Sequence, residues 1–454
     1  MDIKTGILIV YGLALLIIGV ISSLRMKTPA DYFIAGKKNG TWRIAGSLLS
    51  TILGGAAILG TANLAVHQGW AAAWYLLAAS FGLWLLVPLV RKVNRLGKFT
   101  LTDMIGRFYG GAAQKSAAVI IPLAWTGVVA AQVVAAGKIL FSIFELPYAY
   151  GVIISGLVFV GYTLIGGQTS ILKTDLFQAA IILGGVVVSA FFLNHTEGTQ
   201  VLPLTASFPF NPSFGPVDLF ILILTFSSTF VVGPDVYSRV FCARNEGVAR
   251  KSVITVAVVL IPFSFILTYL GVFAHENLPP EELHRSVALI ELIDHYLPAW
   301  ATGLMAAALL SAVLSSADTT LLSASIILSE LFSKDVDNRR SLRLTRVFIG
   351  VVGLGSILIS LKITSIIGML LMALAVYSGA FIVPMIVALA AMKVNKQMVV
   401  PAMISGGAMA LTGKILVDSY ALSWGNWVIA GAFLVNFFML VSRHRKSEAN
   451  DRKQ

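Results

Sequence analysis

Apolar runs of about 18 residues or more recur from one end of this chain to the other, and each can cross a hydrocarbon core of about 30 Å as a helix. Backbone inside lipid must satisfy its own hydrogen bonds, which leaves helices or a closed barrel. A barrel would read as roughly ten-residue segments of alternating polarity; the runs here are continuous. Composition agrees, with 57% of the 454 residues hydrophobic and 12% charged, against roughly 25% charged in an average soluble domain. The expected fold class is an all-α polytopic membrane protein.

Hydropathy predicts about thirteen spans, over 6–24, 42–66, 70–90, 115–140, 147–166, 175–194, 216–236, 250–274, 298–330, 344–361, 364–392, 399–417 and 426–442. The first run lacks a small-residue cleavage site, so it is expected to be a retained span and not a signal peptide. The net charge of +12 would suit a nucleic-acid partner only if it were clustered, and it alternates instead. Arg25, Lys27, Lys37, Lys38 and Arg43 follow the first span; Arg91, Lys92, Arg95, Lys98 and Arg107 follow the third. Arg239, Arg244, Arg250 and Lys251 follow the seventh, Arg339, Arg340, Arg343 and Arg346 the ninth, and Arg443, Arg445 and Lys446 lie in the tail. The opposite loops carry Glu276, Glu281, Glu282, Glu291 and Asp294. Basic residues near span ends stay cytoplasmic, so the reading is a multi-pass protein of a bacterial inner membrane, amino terminus outside and carboxyl terminus inside, with anionic lipid and no nucleic acid as partner.

The single cysteine, Cys242, excludes a disulfide framework and a cysteine-based metal site and reads as an incidental loop residue. His275, His284 and His295 fall in one outer loop without His-Glu-x-x-His spacing. They read as solvated histidines, and no enzymatic constellation emerges.

Two spans contain interruptions. The second carries Gly54 and Gly55 within Ser50-Thr-Ile-Leu-Gly-Gly-Ala-Ala57, where glycine weakens a helix and lets another group approach the backbone. Taken alone, that pair is explained better by close helix packing, which is common in membranes. The seventh carries Thr225-Phe-Ser-Ser-Thr229 and then Gly233-Pro234; Pro234 cannot donate, so carbonyls a turn earlier lose their partner. The interruptions are five spans apart. If spans two to six and seven to eleven form a 5+5 inverted repeat, the broken helices correspond, which points to a transporter's central binding site. The expected divisions are 1–41, 42–215, 216–398 and 399–454.

The ninth span holds Leu310-Ser-Ala-Val-Leu-Ser-Ser-Ala-Asp-Thr-Thr-Leu322. Residues 312, 315, 316 and 319 share a face, with Asp318 at its margin. Hydroxyls and bare carbonyls suit a hard monovalent cation, whereas serine bonding back within its own helix explains scattered serines but not a carboxylate, which costs about 2.5–3.5 kcal/mol in a span. Asp175, at the inner edge of the sixth span, is either a second ion-binding carboxylate or a helix-start acid stabilised by the macrodipole.

At these residues the chain resembles the sodium:solute symporter family. The resemblance covers nearly the whole length, through Asp31-Tyr-Phe-Ile-Ala-Gly36, Gly156 to Tyr162-Thr-Leu-Ile-Gly-Gly167, Lys173-Thr-Asp-Leu-Phe-Gln178, Tyr237-Ser-Arg239 and Leu314-Ser-Ser-Ala-Asp318. It implies the inverted five-helix repeat, and a principal Na+ site formed by the carbonyls of Ser50, Leu53 and Ala312 and the hydroxyls of Ser315 and Ser316. It also implies a second Na+ or proton site at Asp175, Ser315, Asp318 and Thr319, with an aspartate at 318 where some members have serine. Two ionised carboxylates with no cation between them are expensive, so one is expected to titrate. Gln168 replaces the bulky apolar residue that more often follows the Gly-Gly motif. Ala56 and Ala57 replace the acidic and amide pair of the sugar carriers, arguing against a galactose-type site. Solute contacts are expected at Gly54, Gly55, Ala57, Trp74, Trp125, Ser227, Ser228, Phe230 and Tyr377.

The function so implied is sodium-coupled symport of a small organic solute by alternating access, without enzymatic activity; a monomer would suffice for it, and the sequence leaves the oligomeric state open. The alternatives are proton coupling through Asp175 and Asp318, a channel, which would need continuous pore rings, and a sensor module, for which the tail is too short to be a kinase.

Overall fold

The computed structural model describes residues 3–24, 28–96, 100–279, 281, 288–333 and 338–442. Arg25, Lys27, Lys98, Glu282, His284, Arg443, Arg445 and Lys446 of the charge pattern lie outside them. Among the described residues the regular structure is all helix, joined by turns and loops and by two isolated bridges, Asn39 with Ala243 and Asn211 with Phe214. Ten stretches are long and apolar enough to cross a membrane, and Gly425–Val441 is a shorter apolar helix. The chain is therefore an all-helical membrane protein.

The first span is α1 (Ile3–Leu24). The second is two helices, α2 (Thr41–Ile52) and α3 (Gly55–Gln68), separated by Leu53 and Gly54. The third is α4 (Trp74–Leu86) and the fourth α5 (Gly111–Phe144). The expected fifth and sixth spans form one helical stretch of 47 residues, α6 (Tyr148–Asn194), kinked at Gly167. At 1.5 Å per residue a straight helix of that length would measure about 70 Å, more than twice the hydrocarbon core. Gly167 adopts φ +53°, ψ −176°, and a β-carbon there would strike the ring of Tyr32, so glycine meets both the backbone and the packing requirement. Asp175 consequently sits two turns inside a helix, beyond reach of a helix-start dipole, which corrects that reading of it.

The seventh span begins as α7 (Pro216–Leu222), continues through a π-helical turn at Ile223–Ser227 and a short helix Ser228–Val231, breaks at Val232 and Gly233, and resumes as α8 (Pro234–Cys242). After it come α9 (Glu246–Asn277), α10 (Ala299–Ser329), α11 (Arg339–Ser360), α12 (Ile366–Leu389), α13 (Val399–Tyr420) and α14 (Gly425–Val441).

The ninth span, α10, is the centre of the bundle. It packs on α6, α5, α11 and α1, and nearly every residue along it is buried. Outer helices show the reverse pattern. On α11, Val347, Val351, Leu354 and Leu358 are each more than half exposed at three-and-four spacing, an apolar stripe suited to lipid and untenable in water.

Two residues depart from the sequence reading. Arg239, counted as an orientation charge in a loop, is fully buried in α8, and Cys242, read as an incidental loop residue, is the buried last residue of the same helix. Proline at the first position of α8 lets the helix restart immediately after the break, so the segment taken for a cytoplasmic loop is still helix.

Candidate ion and solute site

At the break in the second span, the amides that a continuous helix would aim at the carbonyls of Ile52 and Leu53 go elsewhere. Ala56 N–H donates to Gln132 Oε1 at 3.3 Å and Ala57 N–H to the carbonyl of Gly54 at 2.9 Å. The Ile52 and Leu53 carbonyls thus have no intrahelical partner. Facing them is the hydroxyl stripe of α10, where Ser316 Oγ donates to the Thr51 carbonyl at 2.7 Å. A β-carbon at Gly54 would overlap the Ser316 hydroxyl, while one at Gly55 would overlap Val313; glycine is what lets the two helices touch. Gly54→Ala is therefore expected to fold, at an overpacking cost of about 1–3 kcal/mol, yet to lose the sodium-induced rise in melting temperature. A variant that keeps it would place the ion elsewhere.

Below this break lies a dense polar cluster. Ser315 Oγ lies 2.8 Å from Ser50 Oγ and 2.5 Å from Asp175 Oδ1, and Ser47 Oγ donates to Asp175 Oδ2. Into it reaches Arg239. Its Nε donates to Ser47 Oγ at 3.0 Å, and one terminal nitrogen contacts Thr51 Oγ1 at 3.1 Å, Asp175 Oδ2 at 3.3 Å and Thr319 Oγ1. Both partners of the Arg239–Asp175 ion pair are buried. Asp318 is not among the guanidinium's partners; its Oδ1 accepts from Thr163 Oγ1 of α6 at 3.0 Å. Of the four residues expected at a second ion site, Asp175, Ser315 and Thr319 come together, around a cation the protein itself supplies.

Above the cluster is a cavity of about 90 Å³ between the two broken spans. Gly54, Ala57, Trp125 and Phe230 line it, as do Ser316 and Asp235. A second chamber of about 220 Å³ adjoins it, and Tyr75 lines both. The Tyr75 ring stacks on Phe226 at 4.4 Å, and Phe226 meets Phe230 edge-on at 5.0 Å.

A family model described as sodium:solute symporter family matches residues 32–406. The chain belongs to the sodium:solute symporter family. Sodium is accordingly its coupling ion and sodium-driven symport its activity. The uncharacterised symporter YwcA of Bacillus subtilis (strain 168) is 24% identical over 58% of this symporter and 54% of its own length, so that alignment spans about half of the relative. The sodium/pantothenate symporter of Escherichia coli (strain K12) is 23% identical over 84% of this chain and 83% of its own. Among solved structures, the substrate-bound, outward-open state of a Na+-coupled sialic acid symporter superposes with a TM-score of 0.79 at 18% identity, covering 97% of this chain and 96% of that one. At that identity the likeness speaks for the fold.

Not every residue expected to contact the solute reaches the cavity of this symporter. Gly55 is pressed against Val313. Trp74 stacks on Phe208 and donates its indole N–H to the Pro209 carbonyl at 2.9 Å. Ser227 is buried off the cavity wall, and Ser228 bonds back to the Leu224 carbonyl. Tyr377 lies behind Trp125, ring to ring at 4.6 Å, its hydroxyl on the Val232 carbonyl at 2.6 Å. In their place stand Thr51, Tyr75, Gln132, Thr229, Asp235 and Thr320. Gln132 and Asp235 were legible as rare polar residues within spans; Tyr75 had no signal beyond its aromaticity.

Proposed function

We propose that this symporter imports a small organic solute together with one sodium ion per cycle, the ion lying between the second-span break and Ser316. The ligands are the carbonyls of Ser50, Leu53 and Ala312 with the hydroxyls of Ser315 and Ser316, and the solute occupies the adjoining cavity. The supporting observation is the meeting of the Leu53 carbonyl, which lacks a helical partner, with the hydroxyl face of a buried helix, since oxygen donors without protons to spare can replace the hydration shell of a hard cation. The single stoichiometry rests on Arg239, whose guanidinium already occupies the cation position beside Asp175 and Thr319 where a second ion would sit. A second cation beside it would meet repulsion at close range.

The breaks at Leu53-Gly54 and Val232-Gly233 support pairing 42–215 with 216–398 as inverted repeats, flanked by 1–41 and 399–454. The alternation of basic loops supports an amino terminus outside and a carboxyl terminus in the cytoplasm of a bacterial inner membrane. No substrate chemistry on the protein itself is needed, so we assign no enzymatic role. Uptake into proteoliposomes under an inward sodium gradient at fixed pH tests the reading. Flux should need sodium with a Hill coefficient near one, and uptake indifferent to sodium but driven by a proton gradient would transfer the coupling role to Asp318.

Solute enters from the outer chamber past Tyr75. Tyr75→Ala removes the ring that separates the two chambers and should raise the rate at which a thiol reagent modifies a cysteine placed at Ala57, by about tenfold, a typical consequence of shifting a gate equilibrium by 1.4 kcal/mol. Equal rates with and without the ring would locate the barrier elsewhere.

A further inference from the structure

Asp235 is the one acidic residue that lines the central cavity among the described residues. It sits at the second position of α8, directly after the break at Gly233. Its Oδ2 accepts the Trp125 indole N–H at 2.9 Å, while Oδ1 is buried with no partner at hydrogen-bond distance, the Ser323 hydroxyl of α10 acting on the carboxylate from farther away. Arg239, one turn on, is close enough for its charge to favour the Asp235 carboxylate, but its nitrogens are hydrogen-bonded to Ser47, Ser238, Thr51, Asp175 and Thr319 and none donates to Asp235. Among the described residues no lysine, arginine or histidine lines the cavity, and its remaining wall is rich in aromatic rings, Tyr75, Trp125, Phe226 and Phe230.

A carboxylate inside a span with half its acceptor capacity unused is a costly arrangement unless a ligand completes it. The ring faces around it offer the complementary surface, because a cationic nitrogen is attracted by π-systems as well as by the acid. A solute with only a carboxylate would find no basic partner here and would meet repulsion from Asp235. The partner of Trp125 also matters, since one indole N–H fixes the carboxylate in place and leaves its second oxygen for something else.

We propose that Asp235 is a specificity-determining residue that selects solutes carrying a positively charged nitrogen, an ammonium or quaternary ammonium head group, held between the carboxylate and the aromatic wall. This rests on the central cavity being the solute site. Ser316 lines the same cavity, so a zwitterion that places its cationic end at Asp235 can turn its anionic end toward sodium bound near Ser316.

Matched pairs of probes that differ only in the charged nitrogen test this on the full-length symporter in lipid nanodiscs. The pairs are choline and 3,3-dimethylbutan-1-ol, glycine betaine and 3,3-dimethylbutanoate, and γ-aminobutyrate and pentanoate. With sodium present, the nitrogen-bearing member of at least one pair should raise the melting temperature at a concentration at least about tenfold below that needed by its carbon isostere. Asp235→Asn, which keeps the acceptor for Trp125 but removes the charge, should abolish that preference while leaving the stabilisation by sodium alone intact. If no pair separates, if the carbon isosteres or purely anionic probes bind as well, or if Asp235→Asn retains the preference, the proposal is wrong. Loss of the sodium effect in the unaltered protein would instead overturn the ion-site reading, so the two failures are told apart.

Discussion

Arg239→Ala should destabilise the folded symporter by about 3–5 kcal/mol, the usual consequence of stripping one partner from a buried ion pair. The guanidinium is fully buried, and it bridges α8 to α2, α6 and α10 through Ser47, Thr51, Asp175 and Thr319. Removing it leaves Asp175 with the hydroxyls of Ser47 and Ser315 and no cation. Two consequences separate a paired charge from mere packing. Adding Asp175→Asn to Arg239→Ala should recover a large part of the loss, so the double-mutant cycle yields a coupling energy of at least about 1 kcal/mol. The single variant should also become unusually sodium-stabilised, because a carboxylate ringed by hydroxyls is itself a sodium site once the guanidinium has gone. Sodium-to-solute flux ratios in proteoliposomes complete the test: one ion per solute in the unaltered protein. A ratio of two would show that Arg239 and a second ion coexist, and a cost below about 0.5 kcal/mol for Arg239→Ala would remove the ion pair from the account.

The same residue shows where the sequence was readable and where it was not. Long apolar runs fix helices in lipid with little competition, so the positions of the spans, the interruption at Gly54 and the hydroxyl face over 312–319 were legible directly. Each depends only on local pattern. Arg239 was misread because an arginine near a span end obeys the orientation rule whether it snorkels to the interface or turns inward to a carboxylate; the choice is made by Asp175, 64 positions away in the chain. The fifth and sixth spans ran together because Gly167 bends the chain without an intervening polar loop. Solute contacts suffered most. Which of Trp74, Trp125, Ser227, Ser228 and Tyr377 faces the cavity depends on the helix rotation set by packing, and hydropathy carries no rotation signal inside a helix apolar on all sides.

Ser316→Ala separates the ion site from the scaffold most cleanly. Its hydroxyl donates its one proton to the Thr51 carbonyl at 2.7 Å, which leaves the oxygen lone pairs free beside the Gly54 backbone. Ser315 is different, because its hydroxyl lies between Ser50 and Asp175 and belongs to the polar cluster as well. Ser315→Ala should therefore lower stability by about 1–3 kcal/mol along with sodium affinity, since it leaves a buried acceptor short of a donor. Ser316→Ala should leave melting in sodium-free buffer within about 1 kcal/mol of the unaltered protein, the worth of one hydrogen bond. Its effect should fall on sodium: a rise of about 10–100-fold in the concentration giving half-maximal uptake, comparable to losing one oriented ligand of a metal site. Reciprocity then makes a second demand on the same variant. If sodium and solute are coupled through this site, the solute concentration needed at a fixed, sub-saturating sodium level must rise too, and saturating sodium must restore it. A sodium dependence unchanged by Ser316→Ala would dissociate the hydroxyl face of α10 from the ion, and with it the physical reason for a broken helix opposite.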